Sequence, residues 1–471
     1  MSKIIEGKCE FILPDDVFFN PVQEFNRDLT VLIINSFIHF LKNSIIHKEK
    51  LKIESGLSIL DAFSATGLRA VRYAKELPNI GCVIANDLST LATQVIAKNI
   101  DHNGLSQDII KISNEEANLL MLKNHSTHKT QIDVIDIDPY GSAAPFLDAT
   151  MRAISNGGLV CVTCTDMGVL CGATGHNCYA KYDSIALHTK YAHEMSLRIV
   201  LHSLESHANK HNKYIVPLVS VSVDFYVRLF VRVYESAAQV HLSPSKRSLV
   251  YHCNGCHSYY MQPLALLDNN NKFKHSSGPS VSNVCQICSS SLILGGPVWN
   301  GLLHDKSFVD DLLKSLPDLS YLGTQERILG ILTLISEELP DVPLYYKMDK
   351  MTSSLQMSVP KSTVIKSAIL NAGYRVSISH CDPGSIKTDA PLNVLWGIFT
   401  CWALLNKIDP EKLKSDIAKR IISQNFKFKA DFKTHPLAIP KSMKFNMCRF
   451  PNLPPNWGPQ TKSVIKKIKI T

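Results

Sequence analysis

The stretch that decides the fold is Leu57-Ser58-Ile59-Leu60-Asp61-Ala62-Phe63-Ser64-Ala65-Thr66-Gly67-Leu68-Arg69. Residues 57–63 are largely apolar and predict a buried parallel strand, and we expect a helix to begin near Arg69. Gly67 lies in the tight turn between them and allows a ligand to approach the backbone closely. Asp61, at the end of the strand, is placed to meet a cationic or amine-bearing ligand. The pattern therefore predicts a strand–turn–helix unit with a ligand at its turn.

The turn lacks the GxGxxG pattern, which disfavours a pyrophosphate-bearing cofactor and favours a nucleoside cofactor without phosphates. A second predicted strand, Cys82–Ala85, is followed by Asp87, and an acid so placed after Gly67 commonly holds ribose hydroxyls. A third predicted strand, Ile109–Ile112, precedes the acidic run Asn114–Asn118, which is placed to meet an adenine amino group. Each acid alone is equally consistent with a helix cap. Their order along one alternating strand–helix pattern favours a cofactor site.

A carboxylate, a rigid turn and an aromatic ring follow the apolar run Asp133–Ile137, in the order Asp138-Pro139-Tyr140-Gly141. The exocyclic amine of a base is a poor nucleophile, so an enzyme must fix its geometry and accept its hydrogen bonds. The Asp138 carboxylate and the Pro139 carbonyl can accept those bonds, and a flipped-out base can stack on Tyr140. Taken alone, the motif is also consistent with an ordinary turn. The upstream pattern favours the catalytic interpretation.

Together these residues resemble the tRNA (guanine-26-N2)-dimethyltransferases, a family of class I S-adenosylmethionine-dependent methyltransferases, in their eukaryotic form. Glu6-Gly7-Lys8 and Val17–Leu29 are similar to the N-terminal signature of the family. Asp61–Arg69 resembles its cofactor loop, and Asp138–Gly141 resembles its catalytic motif, in which phenylalanine often replaces the tyrosine. The resemblance covers nearly the whole chain.

The resemblance implies an α/β fold. A Rossmann-like methyltransferase domain with a mixed, mainly parallel sheet would precede a smaller α+β C-terminal domain that contains a zinc-ribbon-like module. The implied methyl donor is S-adenosyl-L-methionine, and the implied products are N2-methyl- and N2,N2-dimethylguanosine in tRNA. The catalytic residues carried over from the motifs are Asp138, Pro139 and Tyr140. The cofactor-binding residues carried over are Arg27, Asp61, Gly67, Arg69, Asp87, Glu116 and Ala117.

Within that cofactor set, the resemblance assigns the two arginines to the methionine end, Asp87 to the ribose, and Glu116 with Ala117 to the adenine. A guanidinium suits bidentate capture of a carboxylate, which agrees with the role of Arg27 and Arg69. Glu116 departs from the family, which usually has the shorter aspartate at this position.

Four cysteines form two CxxC pairs, Cys253-Asn254-Gly255-Cys256 and Cys285-Gln286-Ile287-Cys288. Four thiolates in two tight turns predict a structural Zn²⁺ site, with free thiols or a redox pair as alternatives. The connecting residues 257–284 are loop-like, so the metal is expected to supply folding energy. His252 and His257 flank the first pair and are not needed to complete the ligand set.

Lys and Arg number 50 against 41 Asp and Glu, and the formal net charge of +9 at pH 7 suits a phosphate-rich partner or an ordinary basic enzyme. The basic tail, Lys462–Lys469, is a candidate tRNA contact together with Lys441, Lys444 and Arg449. It is equally consistent with a nuclear import signal or a solvated terminus.

No stretch is long and apolar enough to span a bilayer, and the N-terminus has no apolar core of signal-peptide length. The 13 cysteines, an odd number, are typical of reduced thiols in the cytosol or nucleus. We therefore expect no secretion and no membrane contact. The nucleus is the expected compartment, with cytoplasm or mitochondrion as alternatives, and a monomer is favoured.

With 471 residues, the chain is expected to form several domains. The predicted regions are a methyltransferase domain with an N-terminal cofactor-covering segment at 1–240, a zinc-binding module at 241–300, a C-terminal tRNA-binding domain at 301–450 and a basic tail at 451–471.

The remaining patterns predict local structure. Ala186–Leu204 indicates one long helix, and the alternating arginines of the predicted strand Arg228–Tyr234 indicate a face in contact with solvent or RNA. The adjacent His380 and Cys381 could suggest a Cys–His nucleophile pair. Adjacent residues in a strand point to opposite faces, however, so a loop contacting RNA or a turn is favoured. Three further helices are predicted at Glu326–Leu339, Lys361–Ala372 and Leu392–Leu405.

Two other functions are consistent with the residues. One is an amino-methyltransferase of the same class that acts on adenine N6 or glutamine. Asp-Pro-Tyr and Asn-Pro-Pro-Tyr motifs both provide a hydrogen-bond acceptor, a rigid turn and an aromatic ring for an amine substrate. The other is a non-catalytic tRNA-binding or chaperone protein, which the intact Asp61, Asp87 and Asp138 disfavour. Substrate competition separates the first from methylation of guanine.

Overall fold

The computed structural model describes residues 2–13, 20–43, 53–124, 131–424, 426 and 428–451. The predicted basic tail beyond residue 451 and residues 17–19 of the N-terminal signature lie outside the described residues. Within the described part of the chain, no helix combines the length and apolar character needed to cross a membrane.

The described strands are β1 (Ser2–Glu6), β2 (Cys9–Leu13), β3 (Leu57–Asp61), β4 (Ile80–Asn86), β5 (Ile110–Ser113), β6 (Ile132–Ile137), β7 (Ile154–Cys164), β8 (Lys213–Val223), β9 (Tyr226–Glu235), β10 (Arg247–Cys253), β11 (Tyr259–Pro263), β12 (Ala265–Leu267), β13 (Phe273–His275), β14 (Leu292–Trp299), β15 (Tyr346–Lys347), β16 (Val376–Ser379) and β17 (Asp382–Thr388). The described α-helices are α1 (Glu24–Lys42), α2 (Leu68–Glu76), α3 (Thr90–His102), α4 (Ala117–Lys123), α5 (Leu147–Ala153), α6 (Met167–Leu170), α7 (Gly175–Tyr182), α8 (Ala192–Asn209), α9 (Ala237–Leu242), α10 (Lys306–Ser315), α11 (Gln325–Glu337), α12 (Met348–Ser354), α13 (Ser362–Asn371), α14 (Leu392–Leu405), α15 (Asp416–Ser423) and α16 (Lys441–Lys444).

A seven-stranded sheet with the order β5-β4-β3-β6-β7-β9-β8 forms the centre of the first half of the chain. Strands β3 to β7 pair in parallel, whereas β9 runs antiparallel to both β7 and β8. Helices cover both faces of a parallel sheet, which explains why strands such as β3 and β6 are almost continuously apolar and buried. The predicted mixed, mainly parallel sheet is confirmed.

The strand order reverses between β3 and β6, which are neighbours in the sheet although β4 and β5 lie between them in the chain. In open α/β sheets, ligands bind in the crevice outside the carboxyl ends of the strands at such a reversal. Asp61 ends β3, and Asp138 follows β6 directly. The topology therefore brings the predicted cofactor turn and the predicted catalytic motif to one crevice.

The predicted helix Ala186–Leu204 is wrong at its start, because α8 begins only at Ala192. The preceding residues make tertiary contacts that a helix would forbid. Ile185 exchanges backbone hydrogen bonds of 3.0 and 2.9 Å with Gly296, and the His188 ring is hydrogen-bonded to the Cys171 carbonyl. The periodicity of the sequence carries no sign of these long-range partners.

The prediction that the arginines of β9 face solvent or RNA is wrong, because Arg228 and Arg232 are both buried. Arg228 donates to Asp136 Oδ1 at 2.8 Å and to Thr30 Oγ1 at 2.9 Å on helix α1. Arg232 donates to the Gly157 carbonyl at 3.1 Å. Strand β9 lies between β7 and β8 with α1 packed over it, so its polar side chains must find partners inside the protein.

The C-terminal part is tied to the first half through buried charges. Glu194 of α8 pairs with Lys387 of β17 at 3.0 Å, and Lys387 also pairs with Glu338 at 2.8 Å. Arg198 pairs with Glu194 at 2.9 Å, and all four side chains are buried. Lys387 therefore joins a carboxylate of the first half to one of the C-terminal part, and this contact holds the two parts together because an unpaired buried charge is strongly destabilising.

The adjacent His380 and Cys381 lie in the turn between β16 and β17, which confirms the predicted turn. The argument that they point to opposite faces is wrong, because Cys381 Sγ lies 3.4 Å from His380 Nε2. A turn does not obey the alternation of a strand. His380 Nδ1 is hydrogen-bonded to the buried Glu338 at 2.8 Å, so the ring has a structural partner. The predicted helices near residues 326, 361 and 392 are confirmed by α11, α13 and α14.

The burial of Arg228 predicts a stability effect. We expect Arg228→Met to lower the free energy of unfolding by about 3 kcal/mol or more, because the change leaves the buried Asp136 carboxylate without its main ionic partner. Urea denaturation measures the difference. The control Arg152→Met breaks a half-exposed pair with Asp148 and should change the free energy by less than about 0.5 kcal/mol. Equal effects of the two substitutions would contradict the buried role.

Candidate active site and metal centre

Three carboxylates converge where β3 and β6 end side by side. Asp61 and Asp136 are direct neighbours in the parallel ladder, and Asp138 follows two residues later. Asp61 and Asp136 are fully buried, whereas the Asp138 side chain is partly open to the crevice. Like charges this close require cationic or hydrogen-bonding partners, so the neighbouring residues decide which carboxylate is available to a ligand.

Asp61 is the carboxylate with unused hydrogen-bonding capacity. Its Oδ2 accepts a bond of 2.7 Å from Ser64 Oγ, whereas the buried Oδ1 has no hydrogen-bond partner among the described residues. Burial and the adjacent Asp136 raise the pKa of Asp61 to about 7, against the opposing effects of Arg69 and Ser64. A buried oxygen without a partner is costly, so this atom fits a ligand that brings an ammonium group.

Arg69 lies between the predicted cofactor site and the predicted catalytic motif. Its guanidinium forms an ion pair with Asp138, and its Nη1 lies 3.6 Å from Asp136 Oδ2. Asp136 is also bonded to Arg228 and, at 2.5 Å, to the hydroxyl of Tyr73. Arg69, which the sequence places at the cofactor, therefore contacts the predicted catalytic carboxylate of Asp138 in this structure.

Arg27, the other predicted methionine-binding arginine, is buried on α1. It makes a bidentate pair with Glu6, with both N–O distances at 2.6 Å. Glu6 also accepts from Arg72 at 2.8 Å, and although burial raises its pKa, these two arginines hold that pKa below the usual value. The sequence placed Glu6 only within a signature. The structure shows that it orients Arg27.

The turn after β3 has the geometry that its sequence predicts. Gly67 has a φ of +78°, which favours glycine, and a Cβ there would lie 3.2 Å from Ile96. The Asp87 carboxylate accepts from the backbone N–H groups of Ala65 and Ser89, both at 2.9 Å. Asp87 therefore braces the turn, and its position at the crevice agrees with the predicted ribose contact.

Glu116 acts as the N-cap of α4 in this structure. Its side chain is exposed and accepts from the backbone N–H groups of Asn118 at 3.0 Å and Leu119 at 2.9 Å. Ala117 is buried at the start of the helix. Asn118 Oδ1 is buried without a hydrogen-bond partner among the described residues, so Asn118 joins the candidate site. Asn118 belongs to the run 114–118 that the sequence places near the adenine, but it was not among the predicted cofactor-binding residues, because the burial of its amide oxygen is visible only in the fold.

The loop Asp138–Ser142 is held by its neighbours and presents an aromatic ring. Pro139 is buried, whereas Tyr140 is 77% exposed. Gly141 N–H donates to Thr165 Oγ1 at 2.9 Å, and its carbonyl accepts from Thr165 N–H at 2.8 Å. The ring of Tyr140 is therefore offered on a loop whose backbone is fixed to the end of β7.

A buried hydroxyl adds a second attachment for this loop. Tyr182 OH accepts from Ser142 Oγ at 2.7 Å and donates to Asp166 Oδ1 at 2.8 Å. Burial raises the pKa of Tyr182, so the hydroxyl stays protonated and can keep donating. The sequence did not indicate Tyr182, because a lone tyrosine on a helix has no motif.

The four predicted zinc ligands come together. All four are buried, and their sulfur atoms lie within 4.8 Å of one another, with Cys253–Cys288 at 3.4 Å and Cys256–Cys285 at 3.6 Å. Four sulfurs about 2.3 Å from one tetrahedral zinc ion lie about 3.8 Å apart, so the cluster fits zinc with a small adjustment.

The two CxxC turns also share one backbone pattern. His257 N–H donates to the Cys253 carbonyl at 3.0 Å, and Ser289 N–H donates to the Cys285 carbonyl at 2.9 Å. His257 and Ser289 have φ values of 60° and 58° at equivalent places. Two matching turns that aim four thiols at one point indicate a metal centre, and the free-thiol alternative offers no reason for the match.

A family model described as "N2,N2-dimethylguanosine tRNA methyltransferase" matches residues 2–400. The chain belongs to this family. A member from Caenorhabditis elegans, named tRNA (guanine(26)-N(2))-dimethyltransferase, is 42% identical over 98% of this chain and 93% of its own length. A Saccharomyces cerevisiae member, named as the mitochondrial tRNA (guanine(26)-N(2))-dimethyltransferase, is 33% identical over 97% of this chain and 91% of its own length.

Among solved structures, the family protein Trm1 from Pyrococcus horikoshii, in complex with S-adenosyl-L-methionine, is similar to this chain with a TM-score of 0.71 and 28% identity. The match covers 84% of this chain and 99% of that protein. The fold expected from the resemblance is therefore confirmed.

The metal centre predicts coupled losses of metal and folding. We expect the purified protein to carry zinc, and Cys253→Ser to reduce both bound zinc and soluble yield, because binding free energy at such a site is folding free energy. Elemental analysis and yield measure the two effects. The exposed Cys448 supplies the control, since Cys448→Ser should change neither. Natively folded protein without metal would contradict the prediction.

The raised pKa of Asp61 predicts a pH dependence. The folded protein keeps the Asp61 proton up to about pH 7, whereas the unfolded chain loses it near about pH 4, so Asp61 costs stability as the pH rises through this window. We expect Asp61→Asn to gain thermal stability relative to the wild type over the same window, as measured by melting temperature without cofactor.

Asp148 provides the matched control for this pH series. Partial burial raises the pKa of Asp148, but His211 and Arg152 lower it more and hold it below the usual value. Asp148 therefore adds stability as the pH rises. Asp148→Asn should therefore shift the melting-temperature difference in the opposite direction. If the melting temperatures of Asp61→Asn and the wild type changed with pH in the same way, the prediction that burial shifts the ionisation of Asp61 would be wrong.

Proposed function

We propose that this protein transfers methyl groups from S-adenosyl-L-methionine to the N2 amine of guanine-26 in tRNA, giving N2-methyl- and N2,N2-dimethylguanosine. The observation that carries the proposal is the convergence of Asp61, Arg69 and Asp138 at the reversal of strand order. Family membership supports the same reaction, because the relatives carry that activity in their names.

The crevice has groups that suit each end of the methyl donor. The unpartnered Asp61 Oδ1 accepts from the methionine ammonium group, and Arg27 and Arg69 attract its carboxylate. Asp87 holds the ribose at the end of β4. The start of α4 receives the adenine, where Ala117 is the apolar contact and Asn118 Oδ1 is a free acceptor for the adenine amino group.

When bound, S-adenosyl-L-methionine supplies a methyl group whose carbon–sulfur bond breaks as the N2 lone pair forms a bond to the carbon. The protein positions the amine and removes its proton. Asp138 accepts a hydrogen bond from N2, stabilises the positive charge that develops on N2 and takes the N2 proton, with the Pro139 carbonyl as a second hydrogen-bond acceptor. Tyr140, exposed on its braced loop, stacks on the extruded guanine. A second transfer needs the remaining N2 hydrogen to face Asp138.

Arg69 couples the two halves of this site. Its ion pair with Asp138 leaves the catalytic carboxylate engaged before the donor binds. A carboxylate arriving with the donor competes for the same guanidinium, which frees Asp138 for the amine. This exchange predicts an order in which the methyl donor binds before productive contact with guanine.

The proposal includes the organisation of the chain. The division into regions 1–240, 241–300, 301–450 and 451–471 agrees with a sheet that ends at Glu235 and metal-centre strands that begin at Arg247. The Zn²⁺ is structural, because four buried cysteine thiolates complete its tetrahedral ligand set and leave no open position for a substrate. The protein is a monomer located in the nucleus, where tRNA precursors are made, and the mitochondrial relative marks the alternative compartment.

Incubation of the purified protein with S-adenosyl-L-methionine and an unmodified tRNA transcript tests the function. We expect N2-methyl- and N2,N2-dimethylguanosine in the nucleoside digest by mass spectrometry, and no methylation when guanine-26 is replaced by adenine. Methylation of adenine N6 or of protein glutamine would replace the substrate assignment. Binding without any methylation would favour the non-catalytic alternative.

Asp138 provides the residue-level test. Asp138→Ala should lower the transfer rate by at least about 10²-fold, because the acceptor for the N2 hydrogen is lost. Its dissociation constant for S-adenosyl-L-methionine, measured by calorimetry, should stay within about tenfold of the wild type, because Asp138 contacts the base. The half-exposed Asp148→Asn is the control for both readouts. Loss of donor binding in Asp138→Ala would overturn the assignment.

A further inference from the structure

Three separate parts of the chain bring nitrogen-bearing side chains to one cleft. Lys190 comes shortly before α8 of the first half, His257 follows the first CxxC turn of the metal centre, and Lys350 lies on α12 of the C-terminal part. Lys347, next to α12, lines the same cleft. The cleft therefore exists only when the three parts are packed together.

Aromatic side chains fix the walls of the cleft without using the lysine ammonium groups. Tyr345 OH donates to the Lys190 carbonyl at 3.0 Å, and Tyr191 OH is hydrogen-bonded to His252 Nδ1 at 3.1 Å. Tyr259 and Tyr346 stack with ring centroids 4.6 Å apart. The backbones that carry Lys190 and Lys350 are thus held in place, so little ordering is required when an anion binds.

The charges in the cleft leave a cationic excess. Lys347 is neutralised by Asp382, with an Nζ–Oδ1 distance of 2.5 Å. Within the described residues, Lys190 and Lys350 have no carboxylate within ion-pair distance. Asp349 is next to Lys350 in the chain but does not line the cleft, whereas Lys190 and Lys350 both do, so the two lysine side chains surround one space.

The cleft is connected to the catalytic loop through residues 166–190. Asp166, which fixes the loop through Tyr182, is paired with Lys181 at 3.2 Å. Farther along, the His188 ring is hydrogen-bonded to the Cys171 carbonyl, and Lys190 follows two residues later. One continuous segment therefore runs from the side of the catalytic motif to the cleft.

We infer that this cleft binds a phosphodiester of the RNA backbone away from the methylated nucleotide, with Lys190 and Lys350 as the phosphate contacts. The inference rests on the proposed function, because it supplies the RNA. Lysine ammonium groups bind phosphate as point charges, and such contacts position a nucleic acid without reading its sequence. The site forms only when all three parts of the chain are packed together. The bound phosphate is therefore held at a fixed distance from Tyr140.

The test is the salt dependence of tRNA binding by the full-length protein with its zinc. In Lys190→Ala/Lys350→Ala, we expect weaker binding and a slope of log Kd against log salt that is smaller by about 2, since each phosphate contact contributes about 1. Fluorescence anisotropy between about 50 and 300 mM salt measures the slope. Methyl transfer at saturating tRNA should change by less than about twofold, because the chemistry is elsewhere.

Two matched variants control for net charge and for folding. Lys314→Ala/Lys412→Ala removes the same charge from exposed lysines paired with aspartates, and its slope should match the wild type. Lys190→Arg/Lys350→Arg keeps both charges and should bind nearly as the wild type does. Zinc content and melting temperature confirm that each variant is folded.

The outcomes separate this inference from the proposed function. An unchanged slope in the alanine variant, with normal methylation by the wild type, overturns the phosphate site alone. A reduced slope without methylation of guanine-26 supports the site and overturns the reaction. Failure of the wild type to bind tRNA overturns both. Equal weakening in the two alanine variants would mean that the general charge of the protein, and no particular cleft, attracts the RNA.

Discussion

The buried carboxylate of Asp136 is the constraint on which the active region depends. Arg228 of β9, Tyr73 of α2 and Arg69 all direct polar groups at it, so one charge at the end of β6 joins the parallel and antiparallel parts of the sheet to a helix. Although burial raises its pKa, Arg228 and Arg69 keep it below the usual value. A charge in such a place fixes relative positions, because displacement of any partner leaves it unpaired.

The consequence for chemistry is a division of labour among neighbouring acids. Asp136 remains ionised and structural, and its charge helps to raise the pKa of Asp61. Asp61 is thereby suited to a cationic ligand, whereas the Asp138 side chain lies outside the core and is partly open to the crevice. Asp61, Asp136 and Asp138 are chemically identical side chains that lie close together in the fold. Their different burial and the position of Arg69 give them three different roles.

Sequence predicted the parts of this protein that depend on local pattern. The strand–turn–helix unit around Gly67, the helices of the second half and the paired CxxC turns follow from apolar runs, glycine and ligand spacing. It failed where distant partners decide. The arginines of β9 were predicted to be exposed because their partners, Asp136 for Arg228 and the Gly157 carbonyl for Arg232, lie far away in the chain. Tyr182 carries no motif, and Asn118 was not singled out within its run, since their roles arise from hydrogen bonds and burial that exist only in the folded protein.

The ionic cluster of Glu194, Lys387 and Glu338 has an evolutionary consequence. Its members come from both halves of the chain, and loss of Lys387 would deprive two buried carboxylates of the ammonium group that they share. Recombination that exchanged the C-terminal half for an unrelated module would therefore yield an unstable protein. The buried ion pairs therefore tie the two halves into one unit, whose surface can change by substitution without loss of these contacts.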